Sequence, residues 1–250
     1  MPISDQQQEP DLPKAGQFNT TRWSLILAAA ESQDARSRRA LEQLCHCYWQ
    51  PVYAFVRRNG AKPEDAADLT QSFFAELLED KVFARADPAK GRFRSFLLGA
   101  LKHFLANERR REAAQKRGGK IEFVPLDVAL AESRYGANLP QCPAPEAQFD
   151  RAWALAILDR ALARLRVEFE RAGRGPLWKG LKGFLLGDGT ARTFAAAAAE
   201  LRITEGAAKM TVTRLRRRFY ALVRQEISET VSEQRELEQE LNTFFQALQN

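Results

Sequence analysis

Cationic side chains cluster in the C-terminal third of the sequence, between residues 205 and 224. This segment carries six Lys or Arg residues against a single acid, Glu205. Guanidinium and ammonium groups bind phosphate, and the Arg fork also matches the O6 and N7 acceptors of guanine. The cluster therefore indicates a polyanionic partner such as nucleic acid. Its cations are Lys209, Arg214, Arg216, Arg217, Arg218 and Arg224.

The spacing of the cluster predicts a helix with two different sides. Its apolar residues recur at intervals of four and three, the period of one buried helix face, and they are Ala208, Val212, Leu215, Phe219 and Leu222. At about 100° per residue, the opposite side carries Met210, Thr213, Arg214 and Arg217. Such a helix fits the DNA major groove. Arg214 and Arg217 are best placed for guanine, whereas Arg216 at the flank suits phosphate.

A shorter helix is predicted just before this one. Thr193 can cap its start, and Phe194, Ala198 and Leu201 form its inner stripe. Residues 202–204 supply a tight turn, and small side chains at residues 195–199 let the two helices approach closely. The pair is therefore predicted to be a helix-turn-helix.

Charge is unevenly distributed along the chain. The 250 residues, 45% of them hydrophobic, suffice for one large or two small domains, with a net charge of +6. Residues 92–120 hold nine Lys or Arg against two Glu, a net +7, whereas residues 62–90 hold four against seven acids, a net −3. Residues 229–250 hold five Glu and one Arg, a net −4. Two basic segments that alternate with acidic ones favour a polyanionic partner.

Membrane, secreted and metal-binding classes are disfavoured. No stretch has the roughly 20 apolar residues of a membrane span, and the polar start lacks a secretory signal, so we expect a cytoplasmic protein without membrane insertion. Three cysteines without framework spacing favour reduced thiols. Cys45, His46 and Cys47 suggest a metal site, but residues two apart on a helix diverge by about 200°. We predict neither a metal nor a cofactor.

Helical patterns dominate the sequence, which predicts an all-α fold. We expect helices over residues 22–32, 35–58, 63–80 and 93–111, with a kink or break at Pro51 in the second. Residues 116–150 contain Gly and Pro without a sustained period and are predicted to form a flexible linker. A second helical unit follows. Near the C-terminus one helical stripe is formed by Leu237, Leu241, Phe244 and Leu248.

The third and fourth helices carry motifs that resemble a known family. The segments EDAADLTQSFF (64–74) and FRSFL (93–97), followed by the basic run 109–111, look like region two of bacterial sigma factors. With the helix-turn-helix, residues 18–226 resemble the extracytoplasmic-function type of the sigma-70 family. The resemblance implies two helical domains joined by a flexible linker. The chain then divides into five segments, which are a lead-in at 1–18 predicted to be disordered, a region two-like domain at 19–115, the linker at 116–150, a region four-like domain at 151–228 and an acidic amphipathic helix at 229–250.

In this family the D-L-T-Q helix binds core RNA polymerase. An acidic, partly apolar helix suits a basic protein partner and would repel DNA. Leu69 and Phe73 also lie on the inward stripe, so a core role is the alternative for both. The resemblance assigns polymerase binding to Asp65, Asp68, Leu69, Thr70, Gln71 and Phe74.

In the family, the fourth helix melts and recognises the upstream promoter element. Opening requires apolar groups for unstacked bases and cations for the backbone. Phe96 occupies the usual place of Trp, although its spacing also suits a core aromatic. His103 and Gly99 depart from the common residues. The DNA-binding positions implied are Arg94, Phe96, Lys102, His103, Asn107, Arg109, Arg110 and Arg111.

The helix-turn-helix is similar to region four. Gly206 and Lys209 match the start of the family's recognition helix, whereas Ala207, Met210 and Thr211 depart from it. The DNA-binding positions expected here are Lys209, Met210, Thr213, Arg214, Arg216 and Arg217.

The resemblance implies a sigma factor, which has no chemistry of its own. It would bind core RNA polymerase and direct promoter recognition, DNA melting and transcription initiation, with an anti-sigma protein as a further candidate partner. The alternative is a helix-turn-helix regulator with an N-terminal sensor domain, which would not need the D-L-T-Q helix. An enzyme is disfavoured, since no acidic metal cluster, His pair or Gly-rich phosphate loop is evident.

The acidic C-terminal helix has two interpretations. Its charge and apolar stripe suggest that it packs on a basic surface, such as the region four-like domain, and modulates access to DNA. Alternatively, it is a packing helix that only stabilises the fold.

Overall fold

The computed structural model describes residues 35–79, 92–114, 128–136, 144–185, 193–231 and 234–249, and these are helical apart from short turns. The all-α prediction is thereby confirmed. The expected helix at 22–32 and the lead-in lie outside the described residues. The helices are α1 (Ala35–Arg58), α2 (Pro63–Glu79), α3 (Phe93–Ala114), α4 (Val128–Gly136), α5 (Pro145–Arg171), α6 (Gly175–Leu181), followed by a 3-10 turn (Lys182–Phe184), α7 (Phe194–Leu201), α8 (Glu205–Ser228) and α9 (Gln234–Gln249).

The helix α1 runs without a break through Pro51. It ends at Arg58. The next residue, Asn59, donates its side-chain amide to the Phe55 carbonyl at 2.9 Å, and Gly60 follows with a φ of +98°. The next helix, α2, begins at Pro63 with acids in its first turn, as the fixed φ of proline and the helix dipole favour.

The 27-residue helix α5 lies at the centre of the fold. It begins inside the predicted linker, because Pro145 starts the helix instead of interrupting it. Phe149 packs edge-on against Phe55 of α1 with ring centroids 6.4 Å apart, and Trp153 packs against Phe244 of α9 at 6.2 Å. Helices assigned to the two predicted domains therefore contact each other directly through α5.

The predicted linker also contains α4, which is attached to α1 by a polar network. The Tyr53 hydroxyl donates to Glu132 Oε1 at 2.6 Å, and Arg57 donates to both oxygens of the same carboxylate, at 2.6 and 3.1 Å. The Arg57 guanidinium also lies 5.0 Å from the ring centre of Tyr135. Burial and the bond to Glu132 raise the pKa of Tyr53, so it stays a donor. Part of the predicted linker is thus a docked helix.

The C-terminal helix α9 packs against α5 and α8. Its predicted stripe is confirmed, because Leu237, Leu241 and Phe244 are buried and Leu248 is half-buried. Glu240 also points inward and is only 1% exposed. A carboxylate buried to that degree requires cationic partners, and these come from the start of α3.

Candidate nucleic-acid interface

Two threonine caps define the helix-turn-helix. Thr193 Oγ1 accepts a hydrogen bond from the Ala196 backbone N–H at 3.2 Å, which confirms the predicted cap of α7. Thr204 Oγ1 accepts one from the Ala207 N–H at 3.1 Å and caps α8. Between them, Arg202 adopts a left-handed φ of 55° at the end of α7. These contacts fix where α8 begins relative to α7.

The helix-turn-helix is supported from α6 by a close approach. A Cβ on Gly180 would lie 2.8 Å from Leu201 Cδ1, so glycine lets α6 reach the end of α7. Phe184 stacks on Phe194 with ring centroids 4.3 Å apart. No local pattern in the sequence marks Gly180, since the contact that requires it is with a residue of another helix.

The two predicted sides of α8 are both observed. Four members of the apolar stripe are buried and Phe219 is half-buried, the four being Ala208, Val212, Leu215 and Leu222. The opposite side is exposed to solvent. We call it the α8 outer face, and it consists of Met210, Thr213, Arg214 and Arg217.

Some cations of α8 are neutralised by the chain itself. Arg218 donates two hydrogen bonds to the Glu168 carboxylate, at 2.8 and 2.6 Å, and these lower the pKa of Glu168. The ammonium of Lys209 lies 2.6 Å from Glu205 Oε1, one turn earlier on the same helix. Both pairs are exposed, so they are weak and exchangeable for other anions.

Three other arginines of α8 differ in whether they bond to the rest of the protein. Arg216 donates to the Phe184 carbonyl at 2.7 Å, which directs it away from the outer face. Within the described part of the chain, Arg214 and Arg217 form no hydrogen bond or ion pair with any other side chain. The two residues that sequence analysis selected for guanine are therefore free to bind a partner.

Most of the predicted DNA-binding residues of α3 lie along a solvent-exposed side. Asn107 Nδ2 lies 3.3 Å from His103 Nδ1, and Arg110 donates to Asn107 Oδ1 at 3.5 Å, so the structure brings these three together. Arg109 donates to the Asn59 carbonyl at 3.5 Å. The exposed members are Lys102, His103, Arg109, Arg110 and Arg111, whereas Phe96 and Asn107 are half-buried.

Arg94 has a different environment, since it is only 8% exposed. It pairs with Asp150, its Nε lies 3.3 Å from Glu240 Oε2, and its guanidinium lies 4.9 Å from the ring centre of Trp153. Burial acts to lower the pKa of Arg94, but the two carboxylates raise it above its ordinary value. Because residues nine apart on a helix diverge by about 180°, Arg94 points away from His103. This burial corrects the expectation that Arg94 lies on a surface open to DNA.

Further ion pairs near Arg94 and along α3 involve Arg92, Glu146 and Glu240, which the sequence did not indicate as site residues. Arg92 Nε lies 3.5 Å from Glu240 Oε1, an ion pair rather than a hydrogen bond. Arg92 also donates to Gln239 at 2.8 Å. Lys102 Nζ lies 2.7 Å from Glu146 Oε1, and that bond lowers the pKa of Glu146. Each pair joins distant parts of the sequence, so no local pattern predicts it.

The six residues assigned to polymerase binding divide between the surface and the core. Asp65 and Asp68 are exposed, Leu69 and Gln71 are half-buried, and Thr70 and Phe74 are buried. Thr70 donates its hydroxyl to the Ala66 carbonyl at 2.7 Å. Thr70 and Phe74 thus belong to the inward stripe of α2, which corrects the expectation that they face a partner.

A groove of about 470 Å³ lies between the end of α1, α2 and α3. Its charged residues are the exposed acids Asp65 and Asp68 and, on α3, Glu108 and Arg109. The half-buried Leu69 also lines the groove. The lining therefore combines exposed acids with an apolar side chain.

Within the described residues, no group of three or more His, Cys, Asp or Glu side chains is arranged to hold a metal ion. The side chains of Cys45 and His46 lie outside that part, and the side chain of Cys47 is buried. None of the helices described is both long and apolar enough to cross a membrane.

Comparison of the chain with protein-family models, with curated protein sequences and with solved structures finds no significant match.

Proposed function

We propose that the protein is a sigma factor that binds core RNA polymerase and directs promoter recognition, DNA melting and transcription initiation. The observation that carries the proposal is the α8 outer face. Arg214 and Arg217 stand there without an internal partner, on a capped helix whose opposite side is buried. Such a helix presents guanidinium groups to base edges when it enters the major groove.

The α2 groove supports a second part of the proposal, the docking of core polymerase. The exposed acids Asp65 and Asp68 line it together with the half-buried Leu69. Exposed acids beside an apolar side chain suit a basic, partly apolar segment of another protein and repel nucleic acid. Core RNA polymerase and promoter DNA would then bind separate surfaces of one cytoplasmic protein.

The exposed side of α3 supports the third part, contact with the opened promoter element. His103, Asn107 and Arg110 form a polar row, with Arg109 beside it. Such groups hold the backbone and edges of unpaired bases, and the half-buried Phe96 adds an apolar ring nearby.

The proposal is tested by reconstitution with core RNA polymerase. We expect the full chain to bind the polymerase and Asp65→Asn together with Asp68→Asn to weaken that binding. Glu170→Gln is the control, because it changes the charge of an exposed acid on α5 instead. A chain that does not bind core polymerase, but still binds specific duplex DNA, would instead be a helix-turn-helix regulator with an N-terminal sensor domain.

A further inference from the structure

Met210 is the most exposed large apolar side chain among the described residues, at 56%. It stands in the N-terminal half of α8. Arg214 and Arg217 follow it at intervals of four and seven residues, so all three share one side of the helix. An apolar group on the same side as two free cations is unusual for a surface that serves only to bind phosphates.

Thr213 offers a second apolar group on the same face. Its hydroxyl donates to the Lys209 carbonyl at 3.0 Å, one turn back on α8. The hydroxyl is therefore occupied within the helix, and the methyl group is what Thr213 offers to a partner. The α8 outer face thus combines two guanidinium groups with two apolar groups.

The edges of base pairs in the major groove carry one apolar group, the C5 methyl of thymine. We infer that Met210 and Thr213 recognise thymine methyl groups beside the bases that Arg214 and Arg217 bind. The inference rests on the proposed function and narrows its ligand to a duplex element containing both guanine and thymine. Phosphate contacts alone would not distinguish thymine from uracil, which pairs identically but lacks the methyl group.

The test uses the full chain with two random duplex pools, one synthesised with thymine and one with uracil. We expect selection from the thymine pool to yield a defined element. Replacing its contacted thymine by uracil should weaken binding about fourfold, the effect of leaving one methyl group unburied. Met210→Ala and Thr213→Ser should weaken binding to the thymine duplex and abolish the difference between the two bases.

The choice of variants and the two outcomes separate this inference from the proposed function. Thr213→Ser is a sharp test variant because it keeps the hydroxyl and removes only the methyl. The control is Phe245→Ala, which removes an exposed ring on α9 and should leave binding unchanged. If the selected element binds equally well with uracil, the inference is overturned and the proposed function stands. If no element is selected from either pool, promoter recognition and the inference fail together.

A second inference rests on different contacts, those of Arg92 and of the N-terminal half of α3. Three cations there pair with three carboxylates from α5 and α9. We call the cations Arg92, Arg94 and Lys102 the α3 cations, and we call Glu146, Asp150 and Glu240 the covering carboxylates. Each carboxylate binds its cation by charge-assisted contacts of the kind that a phosphate group would also make.

The burial of these pairs is graded. Glu240 and Arg94 are almost fully buried, whereas the pair of Lys102 and Glu146 is about half exposed, at 47% and 48%. We infer that the covering carboxylates occupy the places of DNA phosphates on the α3 cations. This arrangement of the helices then excludes DNA from the start of α3. The inference rests on the proposed role of α3 in binding DNA, and it extends that role from the exposed side of α3 to the side that carries Arg94.

Charge-neutralising variants test this exclusion through the salt dependence of binding to a labelled duplex of random sequence. Glu146→Gln and Glu240→Gln should each raise affinity and steepen the plot of log K against log salt, by about 0.9 for each cation released to a phosphate. Glu64→Gln is the control, because it makes the same charge change at an exposed acid of α2. Glu146→Gln tests the inference without disturbing a buried pair.

Equal salt slopes for the control and for both variants would overturn the inference that the covering carboxylates exclude DNA from the α3 cations. The carboxylates would then have only a structural role. The proposed function is judged separately, by measuring transcription by core polymerase in the presence of the unmodified protein. If the unmodified protein supports promoter-specific transcription while the salt slopes of the variants are unchanged, the proposed function stands and only this inference is overturned.

Discussion

Arg94 and Glu240 form a buried ion pair between residues 146 positions apart, with Nε and Oε2 separated by 3.3 Å. The pair joins α3 to the C-terminal helix, and Asp150 of α5 contacts the same guanidinium. Three helices from distant parts of the sequence thus meet at one side chain. This contact connects the N-terminal helices to the C-terminal ones.

Glu240→Gln should lower the free energy of unfolding by about 2 to 3 kcal/mol. Removing one partner leaves the other charge buried, and the loss is moderated because Asp150 remains beside Arg94. The measurement is urea denaturation. Glu238→Gln on the same helix is the control, since its pair with Arg224 is exposed and should cost less than about 1 kcal/mol. Equal effects of the two variants would contradict a buried role for Glu240.

Thr204→Ala should destabilise the protein by about 1 kcal/mol, because it removes the side-chain acceptor that caps α8. Thr211→Ala is the matched control. Its hydroxyl bonds within the helix to the Ala207 carbonyl, so the change to a better helix former should be nearly neutral. Thermal unfolding followed by circular dichroism compares the two. A Thr204 variant as stable as the Thr211 variant would show that the cap contributes nothing.

Acidification should weaken the fold below about pH 4.5, the ordinary pKa of a glutamate. Hydrogen bonds from Arg57 lower the pKa of Glu132 in the folded protein. The ionised Glu132 therefore contributes its full stability above the pKa that it has in the unfolded chain. This stability is lost as the pH falls through the lower pKa of Glu132 in the folded protein. The carboxylate is partly exposed, so we expect about 0.5 kcal/mol. Glu132→Gln should flatten this part of the pH dependence in chemical denaturation. An identical acid limb for the variant would exclude the contribution.

Arg217 and Arg218 are neighbours in sequence but should differ in their effects. Arg217→Ala should reduce duplex binding about tenfold, within the range for an Arg that binds guanine, while stability stays unchanged. Arg218→Ala removes the two bonds to Glu168, so it should lower stability by about 0.5 kcal/mol and affect binding less. Binding isotherms and urea denaturation on both variants test the division. A larger loss of binding for Arg218→Ala would contradict it.

Local patterns predicted the parts of the fold that local forces determine. The stripe from Ala208 to Leu222 and the cap at Thr193 follow from helix period and capping chemistry, and both are observed. The burial of Arg94 was not predictable in this way, because its partners lie 56 and 146 residues away. Glu132 was missed for the same reason, since it lies within the predicted linker and its partners Tyr53 and Arg57 are 79 and 75 residues away.

Prolines account for the misplaced start of α5. Pro143 and Pro145 suggested an irregular segment, but proline is also favoured in the first turn of a helix, where its missing N–H has no partner to lose. The apolar face of α5 is then covered on several sides by α1, α8 and α9. Such burial leaves a weak amphipathic period, so the helix was harder to delimit from sequence.

The most direct test of the proposed function is transcription in vitro with core RNA polymerase from the same organism on a genomic DNA library, with the start sites mapped. The account predicts that the full chain directs initiation at a defined set of sites that core polymerase alone does not use. It also predicts that Arg214→Ala with Arg217→Ala abolishes these starts while core polymerase still binds the variant. Random initiation, unchanged by addition of the chain, would contradict the account.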